Sequence, residues 1–94
     1  MNRLEIRATL VAREEVRYTP AGIEAFEGEF HFRGEVFEAD RPRKLEYDFP
    51  AVSFGKCASE LNRLPLGSEI TVKGFLAPRS LKTRRLIVHI TEYI

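Results

Sequence analysis

The sequence predicts an all-β domain, a five-stranded closed barrel with one short helix between strands three and four, and three observations carry that reading. Apolar residues recur at every second position through most of the chain, the period of a strand buried on one face. Gly28 and Gly34 fall among the large inward residues of the longest such run, where a missing side chain permits the sharp coiling a small barrel needs. Only one stretch has helical composition, and Pro65 stops it.

Size and composition set the frame. The 94 residues suffice for one domain with one modest core, spanning residues 1–94, and leave no room for a second. With 44% hydrophobic and 31% charged residues the chain has enough apolar content to offset the entropy of ordering. Fifteen basic against fourteen acidic residues give a net charge of +1, so the whole-molecule field does not attract a polyanion and any basic site must be local.

The elements follow in order. Leu4, Ile6, Ala8 and Leu10 alternate with Arg3, Glu5, Arg7 and Thr9, which predicts strand one. Arg17-Tyr18-Thr19-Pro20-Ala21-Gly22-Ile23 predicts a reversal, since Pro20 presets one backbone angle and Gly22 can take a positive φ. Strand two runs on from Ile23, with Phe26, Gly28, Phe30, Phe32, Gly34 and Val36 on one parity and Glu27, Glu29, His31, Arg33 and Glu35 on the other. Ala39 to Lys44, with Asp40, Pro42 and three cations, is expected to be an exposed, mobile loop. Leu45, Tyr47 and Phe49 open strand three, which continues through Val52 and Phe54. Lys56 to Leu64 is the predicted helix. Strand four places Ile70, Val72, Gly74 and Leu76 opposite in parity to Glu69, Thr71, Lys73 and Phe75, and Leu86 to Ile94 supplies strand five. Three strands, a helix and two strands is the element order of the OB-fold, a Greek-key barrel that commonly binds oligonucleotides.

Several chemistries lack their residues. A structural zinc site needs four Cys or His ligands, and only Cys57, His31 and His89 are present, widely spaced. Cys57 with His89 has no orienting third partner, so Cys57 reads as a small packing residue. The glycines of strand two have the wrong neighbours for a phosphate-cradling loop, and its acidic residues read as a solvated face. No catalytic role, metal or cofactor is expected. Met1 to Leu10 has no continuous apolar stretch, so neither a signal peptide nor a membrane anchor is expected. A lone cysteine suits a reducing compartment, and the cytoplasm is the expected location.

The cations are clustered. Arg79, Lys82, Arg84 and Arg85 fall within the eight residues from Pro78 to Arg85 with no acid among them. Such a hairpin can follow a phosphate backbone, gaining affinity from released counterions. Arg41, Arg43 and Lys44 form a second group, with Arg33 on the outward parity of strand two and Arg17 before the first turn. In an OB barrel these positions flank the face on which single strands lie, so the separated cations can converge on one groove. Tyr18, Phe37 and Phe75 are the candidates for base stacking, while Phe26, Phe30, Phe32, Tyr47 and Phe49 have core parity. Glu46 and Asp48 point outward from strand three and count against phosphate binding. A protein-interaction module whose basic hairpin docks an acidic partner is the competing reading.

Three segments carry a family resemblance. Arg17-Tyr18-Thr19-Pro20-Ala21-Gly22 resembles the R-Y-T-P-x-G turn of bacterial single-stranded DNA-binding proteins, Ser53-Phe54-Gly55-Lys56 their F-G-K segment, and Leu66 to Gly74 their K-G-S-x-V-x-I-x-G strand. Those proteins carry a long acidic-tipped tail, which is not expected here. The opening Asn2-Arg3-Leu4, the Thr19 to Ile23 turn and Val72-Lys73-Gly74-Phe75 are similar to the tailless PriB family. The resemblance implies a homodimer of the restart primosome that binds single-stranded DNA and contacts the PriA helicase and the DnaT loader. It carries the binding role to Arg17, Arg33, and Lys82 with Arg84 or Arg85. Glu46 stands where the family pattern has an exposed aromatic.

Overall fold

One strand with two neighbours closes the alternating pattern into a barrel. In the computed structural model, which describes all of residues 1–94, the strands are β1 (Leu4–Arg13), β2 (Arg17–Tyr18), β3 (Glu24–Glu38), β4 (Arg41–Phe54), β5 (Glu69–Pro78) and β6 (Leu86–Tyr93). The single helix, α1 (Lys56–Leu61), lies between β4 and β5. The first half of β1 pairs antiparallel with β5 from Leu4↔Gly74 to Thr9↔Glu69. Its second half crosses to β3 from Thr9↔His31 to Arg13↔Gly28, bending at an irregularity between Leu10 and Ala12. A parallel contact of β4 with β6, Ala51↔Val88 to Ser53↔Ile90, completes the circuit. The five-stranded barrel read from the sequence is therefore present, and β2 is a two-residue addition on the edge of β3, made where the chain reverses through Gly22 at φ 84°.

Inward parity fills the barrel. Leu10, Phe26, Phe30, Leu61 and Val72 are fully enclosed, and Phe30 stacks on Phe49 with ring centroids 5.7 Å apart. Each such large side chain contributes about 1.5 to 3 kcal/mol by leaving water. Gly74 is required by a close approach. It sits at the β5–β6 irregularity, where a Cβ would fall 1.7 Å from the His89 carbonyl oxygen. Gly28 is similarly constrained where β3 meets β1, since its Cβ would lie 2.6 Å from the Ala12 oxygen.

The helix closes one end of the barrel with Ala58 and Leu61. It stops at Leu61 rather than at Leu64, because the hydrogen bonds tighten to three-residue spacing, Arg63 N to Glu60 O (3.1 Å) and Leu64 N to Leu61 O (3.2 Å). Arg13 Nη1 donates to the carbonyls of Leu61 (3.2 Å) and Leu64 (2.5 Å), tying β1 to the turn that follows the helix. Asn62 Nδ2 ties the same end to β3 through Glu24 Oε2 (2.9 Å) and the Ala25 oxygen (3.2 Å).

One expected loop is not a loop. The ladder between β3 and β4 runs unbroken from Ala25↔Phe54 to Glu38↔Arg41, so Arg41, Pro42, Arg43 and Lys44 are strand residues of an arm extending beyond the barrel. Only Ala39 and Asp40 turn, both at positive φ (55° and 61°), the geometry of a two-residue type I′ hairpin. Pro42 is tolerated because β4 pairs only with β3 at that point and needs no further ladder bond.

Candidate nucleic-acid interface

Register assigns the outward residues to a common surface. Phe75↔His89, His89↔Val52 and Val52↔Glu27 are successive pairs across β5, β6, β4 and β3, so these four side chains form one row on the outside of the barrel. Val52 is only 5% exposed although it lies outside the core cluster, because this row is roofed. The roof is ionic. Arg17 Nη2, from β2, donates to one oxygen of the Glu27 carboxylate, and Arg79 Nη2, from the hairpin after β5, donates to the other. Beneath them is a pocket of about 220 Å³ reached by Val52, Phe54 and His89. The hairpin and β2 thus meet at Glu27 of β3, fifty-two residues from Arg79, at one edge of the barrel.

The same outward face continues along the arm. His31 sits between two acids of β4, with Nδ1 2.5 Å from Asp48 Oδ1 and Nε2 2.9 Å from Glu46 Oε2. The hydrogen bond with Asp48, then that with Glu46, raises the His31 pKa above its usual 6.5, since both favour the charged ring. Below that pKa the two outward acids of strand three share one imidazolium, which offsets half of their negative charge. Arg33 lies across from Glu46, Lys44 across from Glu35, and Phe37 across from Pro42 on this face.

The predicted cations separate into three groups. Arg17 and Arg79 share Glu27, while Arg33 and Lys44 stand on the outer face of the arm. Lys82, Arg84 and Arg85 occupy the hairpin between β5 and β6 and have no carboxylate partner, although the backbone amides of Lys82 and Arg85 donate to the hydroxyls of Ser80 and Thr83. Arg41 and Arg43 join none of the three. Arg43 is opposite Val36 and Arg41 opposite Glu38, the inward parity of β3, and Arg43 pairs with Glu38 at 2.5 Å.

The aromatics also redistribute. Tyr18 (65% exposed) and Phe37 (76% exposed) are open, whereas Phe75 has one ring face covered by His89. Tyr47, assigned to the core by parity, is 41% exposed, because the arm carries it past the barrel mouth, where it rests against Phe32 at 5.3 Å. Val36 emerges for the same reason. Glu27, His31 and His89 were not singled out by the sequence as interface residues. Their alternation was visible, but which strand each faced was not.

Cys57 is half-buried on the first turn of the helix, and burial pushes its thiol pKa up, which disfavours a nucleophilic thiolate. No three His, Cys, Asp or Glu side chains are grouped so as to hold a metal ion. No helix is long and apolar enough to cross a membrane.

A closed OB barrel with a basic hairpin folded onto its outer face defines the class of oligonucleotide-binding barrels. Residues 2–92 match the family described as "Another single-strand binding protein family". The chain belongs to that family, within its PriB branch. The replication restart protein PriB of Bordetella pertussis is 38% identical over 92 residues, covering 98% of this chain and 86% of the relative. That of Vibrio vulnificus is 32% identical over 96 residues, covering 99% and 96%. The solved PriB of Ralstonia solanacearum superposes with a TM-score of 0.91 at 38% identity, covering 100% of this chain and 96% of that one. A single-stranded DNA-binding protein of Thermus aquaticus has the same fold, with a TM-score of 0.78 at 22% identity, and this chain spans 49% of its length.

Proposed function

We propose that this protein is a non-enzymatic accessory of replication restart that binds single-stranded DNA along the outer face of its barrel and arm. The observation that carries the reading is the meeting of Arg79 with Arg17 at Glu27, which brings the basic hairpin to the edge of the face holding Phe75, His89, Arg33 and Lys44. Phosphate contacts would come from Arg17, Arg33, Lys44, Arg79, Lys82, Arg84 and Arg85, with Phe75, Tyr18 and Phe37 as stacking surfaces. Arg41 and Arg43 would reach DNA only if a strand wrapped the arm.

Two copies would make the path continuous. On the side away from β5, Leu4 to Ala8 of β1 meets no strand, and an unpaired edge of that length favours pairing with a second chain. In this reading the homodimer works in the cytoplasm with the PriA helicase and the DnaT loader, coating a short single strand and helping to load the helicase machinery.

The test is a salt titration of labelled oligonucleotide binding by the parent and by a variant with Lys82, Arg84 and Arg85 replaced by alanine. Each single-strand phosphate contact contributes about 0.7 to the logarithmic salt slope, so the variant should lose roughly two units. Sedimentation of the parent should give twice the chain mass. A parent that binds no oligonucleotide at low salt leaves the protein-interaction reading, which the outward carboxylates Glu29, Glu46 and Asp48 favour.

A further inference from the structure

We propose that Arg17 and Arg79 form a clamp for one phosphodiester of the bound strand, and that Glu27 occupies this clamp in the free protein. This inference rests on the single-stranded DNA reading above. The two guanidinium groups come from opposite ends of the chain and converge on the two oxygens of a single carboxylate. A carboxylate held by two arginines presents two anionic oxygens to fork-shaped donors, the arrangement that the non-bridging oxygens of a phosphodiester also offer. Glu27 is the more enclosed partner, with its side chain 22% exposed against 63% for Arg17 and 49% for Arg79. The arginines can therefore swing outward to a ligand while the carboxylate stays on the strand.

The surroundings favour a nucleotide over an acidic peptide. Directly beside the clamp lies an apolar and aromatic floor of Val52, Phe54 and His89, continued by the ring of Phe75. A base adjoining the clamped phosphate would cover that floor, whereas a peptide carboxylate would leave it bare. The clamp also has a cost built in. Each phosphate entering it must break two ion pairs, so the free protein holds its arginines in place at the expense of affinity.

Glu27→Gln keeps the shape and removes the competing charge. Exposed ion pairs are worth about 0.2 to 1 kcal/mol each, so releasing two should tighten oligonucleotide binding by roughly 2- to 30-fold at low salt. Glu29→Gln, on the same outward parity of β3 but without an arginine partner, is the control for general charge, and its effect should stay below the Glu27→Gln effect. In a background of Arg17→Ala with Arg79→Ala, the Glu27→Gln gain should shrink to that control level. Circular dichroism and sedimentation of each variant establish that the fold and assembly persist. If oligonucleotide binds and the Glu27→Gln gain survives loss of both arginines, or never appears, the clamp is overturned while DNA binding stands. If Glu27→Gln tightens binding of a polyglutamate peptide but not of oligonucleotide, the clamp serves an acidic protein instead and the proposal fails. If no variant binds oligonucleotide at any salt, the functional reading fails first and the clamp with it.

Discussion

Phe75 on β5 and His89 on β6 lie nearly parallel, with ring centroids 4.8 Å apart and planes 11° from each other. His89 is thereby fixed against the neighbouring strand, and the Phe75 ring keeps one face for another partner. A residue that sequence parity left among three equal stacking candidates is thus the one that shares an outward row with Glu27, with His89 and Val52 between them.

Phe75→Leu should retain an apolar residue on β5 while removing the stacking surface. Base stacking on an aromatic side chain is worth about 1 to 3 kcal/mol, and the leucine variant should lose a binding contribution in that range by fluorescence anisotropy. Tyr18→Leu serves as the comparison, being open but carried by the two-residue β2. An unchanged affinity for Phe75→Leu would place the strand elsewhere on the barrel.

The His31 contacts predict a pH dependence with a definite sign. Its pKa is raised in the folded protein by Asp48 and Glu46, so its stabilising contribution is fully present below 6.5 and is lost as pH rises through the folded value. Over the same range the outer face loses one positive charge beside two carboxylates. Oligonucleotide affinity at fixed ionic strength should therefore fall as pH rises through that value, and His31→Phe should flatten the profile. A histidine ring titration followed by NMR should give a midpoint above 6.5; a midpoint at or below it would show that the two acids do not hold the ring in solution.

Two residues in the left-handed region make the arm's turn improvable. Left-handed backbone costs an ordinary L-residue roughly 1 to 2 kcal/mol, and Ala39 has no side-chain oxygen to offset it. Ala39→Asn with Asp40→Gly supplies the pair that type I′ turns prefer. The double variant should gain about 1 kcal/mol, visible as a melting temperature higher by roughly 4 to 8 °C. A lower melting temperature would mean that the turn does not hold the I′ geometry.

The barrel was legible from sequence because its strands alternate strictly and its single helix is bounded by Pro65, both local signals. The arm was misread because Pro42 and three cations look like a loop when strand neighbours are unknown, and only the absence of a third strand beside them makes proline acceptable. The same ignorance of neighbours sent Tyr47 into the core by parity, although parity fixes a face and not the distance from the barrel. The basic hairpin was legible as a charge run. Its partner was not, since nothing local to Glu27 distinguishes it from Glu29, and the difference is made by Arg79 arriving from a distant strand end.

The last prediction concerns Glu46, which faces Arg33 across the ladder and contacts His31 Nε2 at 2.9 Å. Glu46→Trp removes a carboxylate from the outer face and leaves His31 bonded to Asp48, so the local charge becomes more positive without orphaning the imidazole. Arg33, across the ladder from Glu46, also loses a neighbouring carboxylate that would repel phosphate. Cross-strand neighbours at such positions are close enough for the new indole to lie over the arm, where it offers a base about 1 to 3 kcal/mol of stacking. Affinity for oligonucleotide should therefore rise, and the midpoint of the pH profile should move down because one of the two acids that raise the His31 pKa is gone. With the variant confirmed folded, unchanged affinity together with an unchanged pH profile would mean that the strand does not cross the arm, and DNA contact would then be confined to the barrel end beside Arg17 and Arg79.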